Sequence, residues 1–193
     1  MSVIAATKRC VFLDRDGVLN RPVVREGRPY PPALFDEFEL YPDVVDGCRQ
    51  LKEAGFRLIV VTNQPDVGRG TQSRESVEAM HTKLRRDIPA LDSIEVCFHA
   101  GAAHAEPCDC RKPKPGMLQR AAIAHDIDLK RSFLIGDRWR DIDCAHAAGC
   151  RSVFIDHGYR EPLREKPEFV VTTFREAVAV ILQSHLSRSA TRD

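Results

Sequence analysis

The chain has 193 residues, 43% hydrophobic and 30% charged, with a formal net charge of +1. That length allows one domain spanning 1–193 with a full core, and the near-neutral balance gives no global field for nucleic acid or an anionic membrane. No apolar run reaches the roughly 20 residues of a membrane span.

The opening segment MSVIAATKRC lacks a charged leader followed by a long apolar stretch, so a cytoplasmic protein is expected. Seven cysteines, an odd number, point to thiols or metal ligands rather than a disulfide framework.

In chain order, strand and helix alternate. A first buried strand covers about 9–14. Residues 18–42, rich in proline, arginine and aromatics, form a long excursion that reads as a functional flap. Asp43 reads as the N-cap of a helix running to Ala54, with Val44, Val45, Cys48 and Leu51 at helical spacing and Gly55 as the stop. Strands follow at 56–62, 94–98, 132–135 and 151–155. Between them lie helices from Ser73 to Asp87, from Pro115 to about Asp126, and over 139–148 ending at Gly149. A last helix over 173–185 leads into a polar tail, SRSATRD (about 187–193), expected to be disordered. Repeated βα units predict an α/β fold: a Rossmann-like parallel sheet with helices on both faces.

Four stretches carry chemistry. In the first, Val11-Phe12-Leu13 ends at Asp14-Arg15-Asp16-Gly17, which sets two carboxylates at the C-terminal edge of a buried strand, where ligands bind in open α/β sheets. Such a pair can hold a hard cation, attack an electrophile or relay a proton. In the second, Val60-Val61-Thr62-Asn63-Gln64 ends a strand in a hydroxyl and two amides, with Arg69 in the loop that follows. In the third, Leu134-Ile135-Gly136-Asp137 repeats the strand-to-acid pattern and can complete an oxygen-rich Mg²⁺ site with Asp14. Asp141 and Asp143, further on, read equally well as solvated helix residues. The fourth, Arg111-Lys112-Pro113-Lys114-Pro115, holds cations extended just before a helix, where a lysine could fix phosphate charge.

Taken together, DRDGV at 14–18, Thr62, Lys112 and GDRWRD at 136–141 resemble the haloacid dehalogenase superfamily of phosphohydrolases over about residues 9–156. The resemblance implies that Asp14 is the nucleophile of an aspartyl-phosphate and that Asp16 is the general acid and base. It also implies Mg²⁺ between Asp14, the Asp16 backbone carbonyl and Asp137, with Thr62 and Lys112 holding the phosphoryl oxygens.

Cys97-x-His99 and Cys108-x-Cys110 supply three thiolates and one imidazole, a set suited to tetrahedral structural Zn²⁺ that would clamp a loop over about 97–110. His104 is an alternative to His99, and Cys10, Cys48, Cys144 and Cys150 read as core thiols.

With this loop, the chain is similar to the small capless branch that holds the heptose bisphosphate 7-phosphatases and the histidinol-phosphate phosphatases. Its substrate contacts would fall on Arg25 of the flap (or Arg28), Asn63, Gln64, Arg111 and Arg138. Pro65-Asp66 and Arg138 depart from the heptose pattern, which usually has a small residue with glycine, and lysine, at those places. Predominant cations favour a sugar bisphosphate, whereas histidinol phosphate would call for acids and aromatics such as Glu26 and Tyr30. The expected partner is a small phosphorylated metabolite, with no nucleic acid or membrane, and the chain is expected to be a monomer. A reading from another class is a zinc-stabilised module that binds a phospho-ligand without cleaving it.

Overall fold

A computed structural model describes residues 7–101 and 108–189. Strand β1 (Cys10–Leu13) lies at the centre of a six-stranded sheet and is buried at every position. Beside it run β4 (Arg57–Asn63) and β5 (Ser93–Cys97) on one side. On the other side run β6 (Phe133–Gly136), β7 (Arg151–Ile155) and β8 (Phe169–Val171). Every pairing in this sheet is parallel. Alternate side chains feed two cores, as a sheet covered on both faces requires. Val11, Leu13, Val60, Ile135 and Val153 pack with Leu51, Met80, Phe174 and Ile181. Phe12, Ile59, Val61 and Leu134 face Met117, Leu118, Ala121 and Ala145.

The helices are α1 (Val44–Glu53), α2 (Pro65–Gly68), α3 (Arg74–Asp87), α4 (Gly116–His125), α5 (Trp139–Ala148) and α6 (Phe174–Ser189). Ser73 caps α3 as expected, accepting from the Ser76 N–H, and Gly149 ends α5 at φ 76°. Asp43 stands at the start of α1, but its carboxylate accepts from the Arg175 N–H at 2.9 Å, so it caps α6 instead.

Three further elements were not anticipated. The flap holds a hairpin, β2 (Val23–Arg25) with β3 (Arg28–Tyr30), joined by Glu26 and Gly27. Helix α2 is a single turn, and β8 has three residues, so neither is long enough to display a period. The expected tail also differs, because α6 continues through Ser189; residues 190–193 lie outside those described.

The chain leaves β1 toward β4 and later returns to β6 on the opposite side. That reversal opens a crevice at the C-terminal ends of β1, β4 and β6. Behind it, Asp92 braces the β4 register: its carboxylate accepts from Lys52 Nζ (2.6 Å), Arg57 Nη1 (2.5 Å) and the Leu58 N–H (2.8 Å). Asp92→Ala leaves that N–H unpaired and is expected to lower stability by about 1–2 kcal/mol, read from denaturant melts; the half-exposed cations add little.

Candidate active site

Asp14 follows β1, and its N–H donates to the Ile135 carbonyl, which locks it beside β6. Asp14 Oδ1 is 2.8 Å from Lys112 Nζ and accepts from the Arg15 N–H at 2.7 Å. The same ammonium meets Asp141 Oδ1 at 2.6 Å and donates to the Val61 carbonyl at 2.8 Å. Lys112 is therefore buried with all three donors engaged, and Asp14 and Asp141 raise its pKa against the opposing effect of burial.

Asp137, one residue past β6, is 1% exposed, and neither carboxylate oxygen accepts a well-formed hydrogen bond among the described residues; the Tyr159 hydroxyl faces it, and burial and then Asp137 push that phenol's pKa up. It lies against Gly17: a Cβ there would come within 1.9 Å of Asp137 Oδ2, and Gly17 has φ +89°. Gly136 likewise admits Asp141, whose Cβ would meet a side chain there at 2.1 Å. Asp141 is thus not a solvated helix residue but a buried one, and its Oδ2 accepts from the Arg138 N–H at 3.1 Å.

Carboxylate oxygens of Asp14, Asp137 and Asp141 all lie within 4.8 Å of one another. Burial and the neighbouring acids push Asp14 up to about 6 despite Lys112, and burial with Asp14 and Asp141 pushes Asp137 well up. Three acids sharing one ammonium need more positive charge, and two buried oxygens without a well-formed hydrogen bond suit a hard divalent cation such as Mg²⁺.

Asp16 borders the same cleft. Its carboxylate accepts from Arg15 Nε (3.2 Å) and Nη2 (2.9 Å), Asn20 Nδ2 (3.0 Å) and Gln64 Nε2 (2.8 Å). Gln64 is fully buried and also donates to Thr62 Oγ1 at 2.8 Å, so it orients Asp16 and Thr62 instead of facing a substrate. Thr62 is likewise buried, beneath the cleft floor. Asn63 lines the cleft, yet its amide clamps the Lys112 backbone from both sides at 3.1 Å.

The cleft has a volume of about 350 Å³, and Arg28, Arg69, Arg111, Arg138 and Arg140 surround the acids. Arg25, expected here, lies 6.0 Å from the Tyr30 ring centroid and does not line the cleft; its cross-strand neighbour Arg28 does. Which side of the hairpin faces inward is a tertiary property that spacing does not reveal. Arg138 lines the cleft but pairs with Glu161 and donates to the Pro29 carbonyl at 3.2 Å, which tethers the flap. Arg140 was missed, although its place one turn beyond Asp137 was a usable signal. Burial, Arg140 and Arg69 lower the Arg111 pKa against the opposing pull of Cys97 and Cys108, as expected where cations crowd.

The four zinc candidates also come together. Cys110 Sγ is 3.2 Å from Cys97 Sγ and from His99 Nδ1, Cys97 is 3.8 Å from Cys108, and all four ligand atoms lie within 4.8 Å. These separations fit a tetrahedron around Zn²⁺ with bonds of about 2.0–2.3 Å. His104 lies outside the described residues. Cys10, Cys48, Cys144 and Cys150 are buried, as expected of core thiols.

A family model for hydrolase-like (HAD-hydrolase-like) proteins matches residues 109–177. The D-glycero-β-D-manno-heptose-1,7-bisphosphate 7-phosphatase of Escherichia coli K12 is 39% identical over 154 residues, covering 75% of this chain and 77% of its own. The corresponding 7-phosphatase of Thermosynechococcus vestitus is 33% identical over 196 residues, covering 92% and 96%. The crystal structure of D,D-heptose 1,7-bisphosphate phosphatase from B. bronchiseptica, complexed with magnesium and phosphate, matches with TM-score 0.74 and 27% identity, covering 91% of this chain and 99% of that one. The chain belongs to the haloacid dehalogenase-like hydrolases, in the family of the D-glycero-D-manno-heptose-1,7-bisphosphate 7-phosphatases.

Proposed function

We propose that the chain is a Mg²⁺-dependent phosphatase that removes the 7-phosphate of D-glycero-D-manno-heptose 1,7-bisphosphate through an aspartyl-phosphate on Asp14. The single observation that carries this reading is the buried Asp14–Lys112–Asp141 cluster beside the buried Asp137, on the floor of an arginine-lined cleft. Asp14 attacks phosphorus as the bond to the sugar oxygen breaks, and Asp16 donates a proton to that oxygen. Asp16 then takes a proton from water, whose oxygen displaces the Asp14 carboxylate and releases inorganic phosphate.

Asp14, the Asp16 backbone carbonyl, Asp137 and Asp141 would hold the Mg²⁺. Bound there, the cation offsets the repulsion between a phosphate dianion and the carboxylates. When phosphate enters, Lys112 would turn a donor from Asp14 to a phosphoryl oxygen, and the Thr62 hydroxyl, behind the cleft floor, would donate to another. Gly17→Ala is expected to push Asp137 aside and lower kcat/KM by about 100-fold, read in steady-state assays of the folded variant.

The second phosphate of a bisphosphate needs its own cations, and Arg28, Arg111 and Arg140 line the cleft where they could meet it. Beyond its phosphate, histidinol phosphate bears two cationic groups, and these meet few acids outside the catalytic cluster; Asp66, on the rim, already pairs with Arg69 at 3.1 Å. Each charged contact is worth about 1.5–3 kcal/mol, so kcat/KM should favour the heptose bisphosphate by at least about tenfold. A preference for histidinol phosphate would contradict the substrate assignment. A cytoplasmic location suits the seven unbridged cysteines, and no helix among the described residues is long and apolar enough to cross a membrane.

A further inference from the structure

Arg15, between the two catalytic aspartates, is fully buried. A guanidinium out of water needs partners for its donors. Its Nε and Nη2 form a fork on Asp16, with Nη2 at 2.9 Å from both carboxylate oxygens. The Phe38 ring lies 5.5 Å from its Cζ, and its remaining edge points to α3, where Nη1 is 3.2 Å from His81 Nε2.

His81 is itself fully buried. Arginine can only donate, so Nε2 carries the lone pair and the ring proton sits on Nδ1, 3.5 Å from Glu78 Oε2. Burial and then Arg15 push His81 down to about 4, in keeping with a neutral ring. A neutral imidazole thus stops one end of the guanidinium, and the other end sets the plane of the Asp16 carboxylate.

We infer that His81 is a positioning residue for proton transfer at Asp16, acting through Arg15. This rests on the roles proposed above for Asp14 and Asp16. Without the acceptor at position 81, Arg15 has a buried donor with no partner and no stop against rotation, so its fork on Asp16 loosens. Proton delivery to the leaving oxygen and proton removal from water then both suffer, while Asp14, Lys112 and the phosphate contacts stay in place. The expected signature is a loss in kcat with little change in KM.

The experiment compares wild type with His81→Leu, which has no acceptor, and His81→Gln, whose amide oxygen can accept from Nη1. Each is assayed in steady state and in the first turnover on aryl phosphates of decreasing leaving-group pKa. His81→Leu should lose about 10- to 100-fold in kcat, part of the 10²–10⁴ that acid–base catalysis supplies, with KM within twofold. Its first turnover should recover toward wild type as the leaving group becomes more acidic, leaving a burst of phenolate before slow steady-state turnover. His81→Gln should stay within about threefold of wild type.

An Arg15→Met/His81→Leu double variant, which removes the buried charge together with its stop, covers the case in which His81→Leu alone does not fold. If His81 acts through Arg15, the double variant loses no more than Arg15→Met. An equal loss across all leaving groups, failure of the glutamine to restore activity, or additive losses in the double variant would each overturn the inference. If wild type cleaves aryl phosphates but not the heptose bisphosphate, the substrate assignment fails and the His81 result still stands.

Discussion

Asp14→Asn is expected to lower kcat by about 10⁴-fold or more, the scale of losing a nucleophile, without lowering Tm in chelator. The two outcomes come from one geometry. The amide cannot capture phosphorus, so turnover ends. Folding is spared because Lys112 keeps Asp141 at 2.6 Å and the Val61 carbonyl at 2.8 Å.

Burial and the neighbouring carboxylates hold Asp14 at about 6 in the folded chain, above its ordinary value of 3.8. A carboxyl raised on folding stabilises the native state while protonated, and that contribution is lost as pH rises from about 4 through about 6. Above that window, a neutral amide at position 14 removes a repulsive charge from the three-acid cluster. The metal-free variant should therefore melt at or above the wild-type temperature at pH 8. Loss of activity accompanied by a lower Tm would mean that Asp14 is a structural residue. Full activity in Asp14→Asn would overturn Asp14 as the nucleophile, whereas phosphate binding without turnover in the wild type would leave a non-catalytic module.

The second large effect lies at the thiol cluster. Cys97 ends β5, and Cys108 and Cys110 lie just before Lys112, so a metal held by these residues and His99 would anchor the stretch that carries Lys112. Purified protein should carry about one Zn²⁺ per chain, since three thiolates and an imidazole form a closed structural site. Cys108→Ser should lose the metal and about 2–4 kcal/mol of stability, as when a covalent staple is removed, or roughly 5–15 °C in Tm. The kcat/KM should fall about 100-fold, because a displaced Lys112 disturbs both Asp14 and the phosphoryl group. Zinc-free wild type, or a Cys108→Ser protein that melts and turns over normally, would contradict this role.

Much of the site is legible in the sequence because its residues sit where buried strands stop. Val11-Phe12-Leu13 and Leu134-Ile135-Gly136 leave Asp14 and Asp137 nowhere to go but the sheet's edge. The short spacing of Cys97-x-His99 and Cys108-x-Cys110 likewise restricts how those groups can meet. Residues whose roles depend on the phase of an irregular segment are less legible. Arg25 and Arg28 are equivalent in composition, and only the hairpin's orientation distinguishes them.

Gln64 carries the amide of a ligand-binding residue, yet its side chain turns inward to Asp16. Asp141 reads equally well as a site acid or a surface helix acid until Gly136 is seen to let it fold back over the strand end. Asp43 has the residue type of a helix cap and caps a helix 132 positions away. Local chemistry names such residues correctly, and tertiary packing decides their partners.

The central claim, that phosphorus is captured by Asp14, is tested most directly by trapping the intermediate. Acid-quenched protein taken during turnover should be digested and its peptides weighed, using Asp16→Asn to slow hydrolysis of the acyl phosphate. One phosphoryl group on the peptide containing Asp14, absent from an Asp14→Asn/Asp16→Asn control, is the expected result. A phosphoryl group on any other residue, or one that persists when Asp14 is replaced, would contradict it.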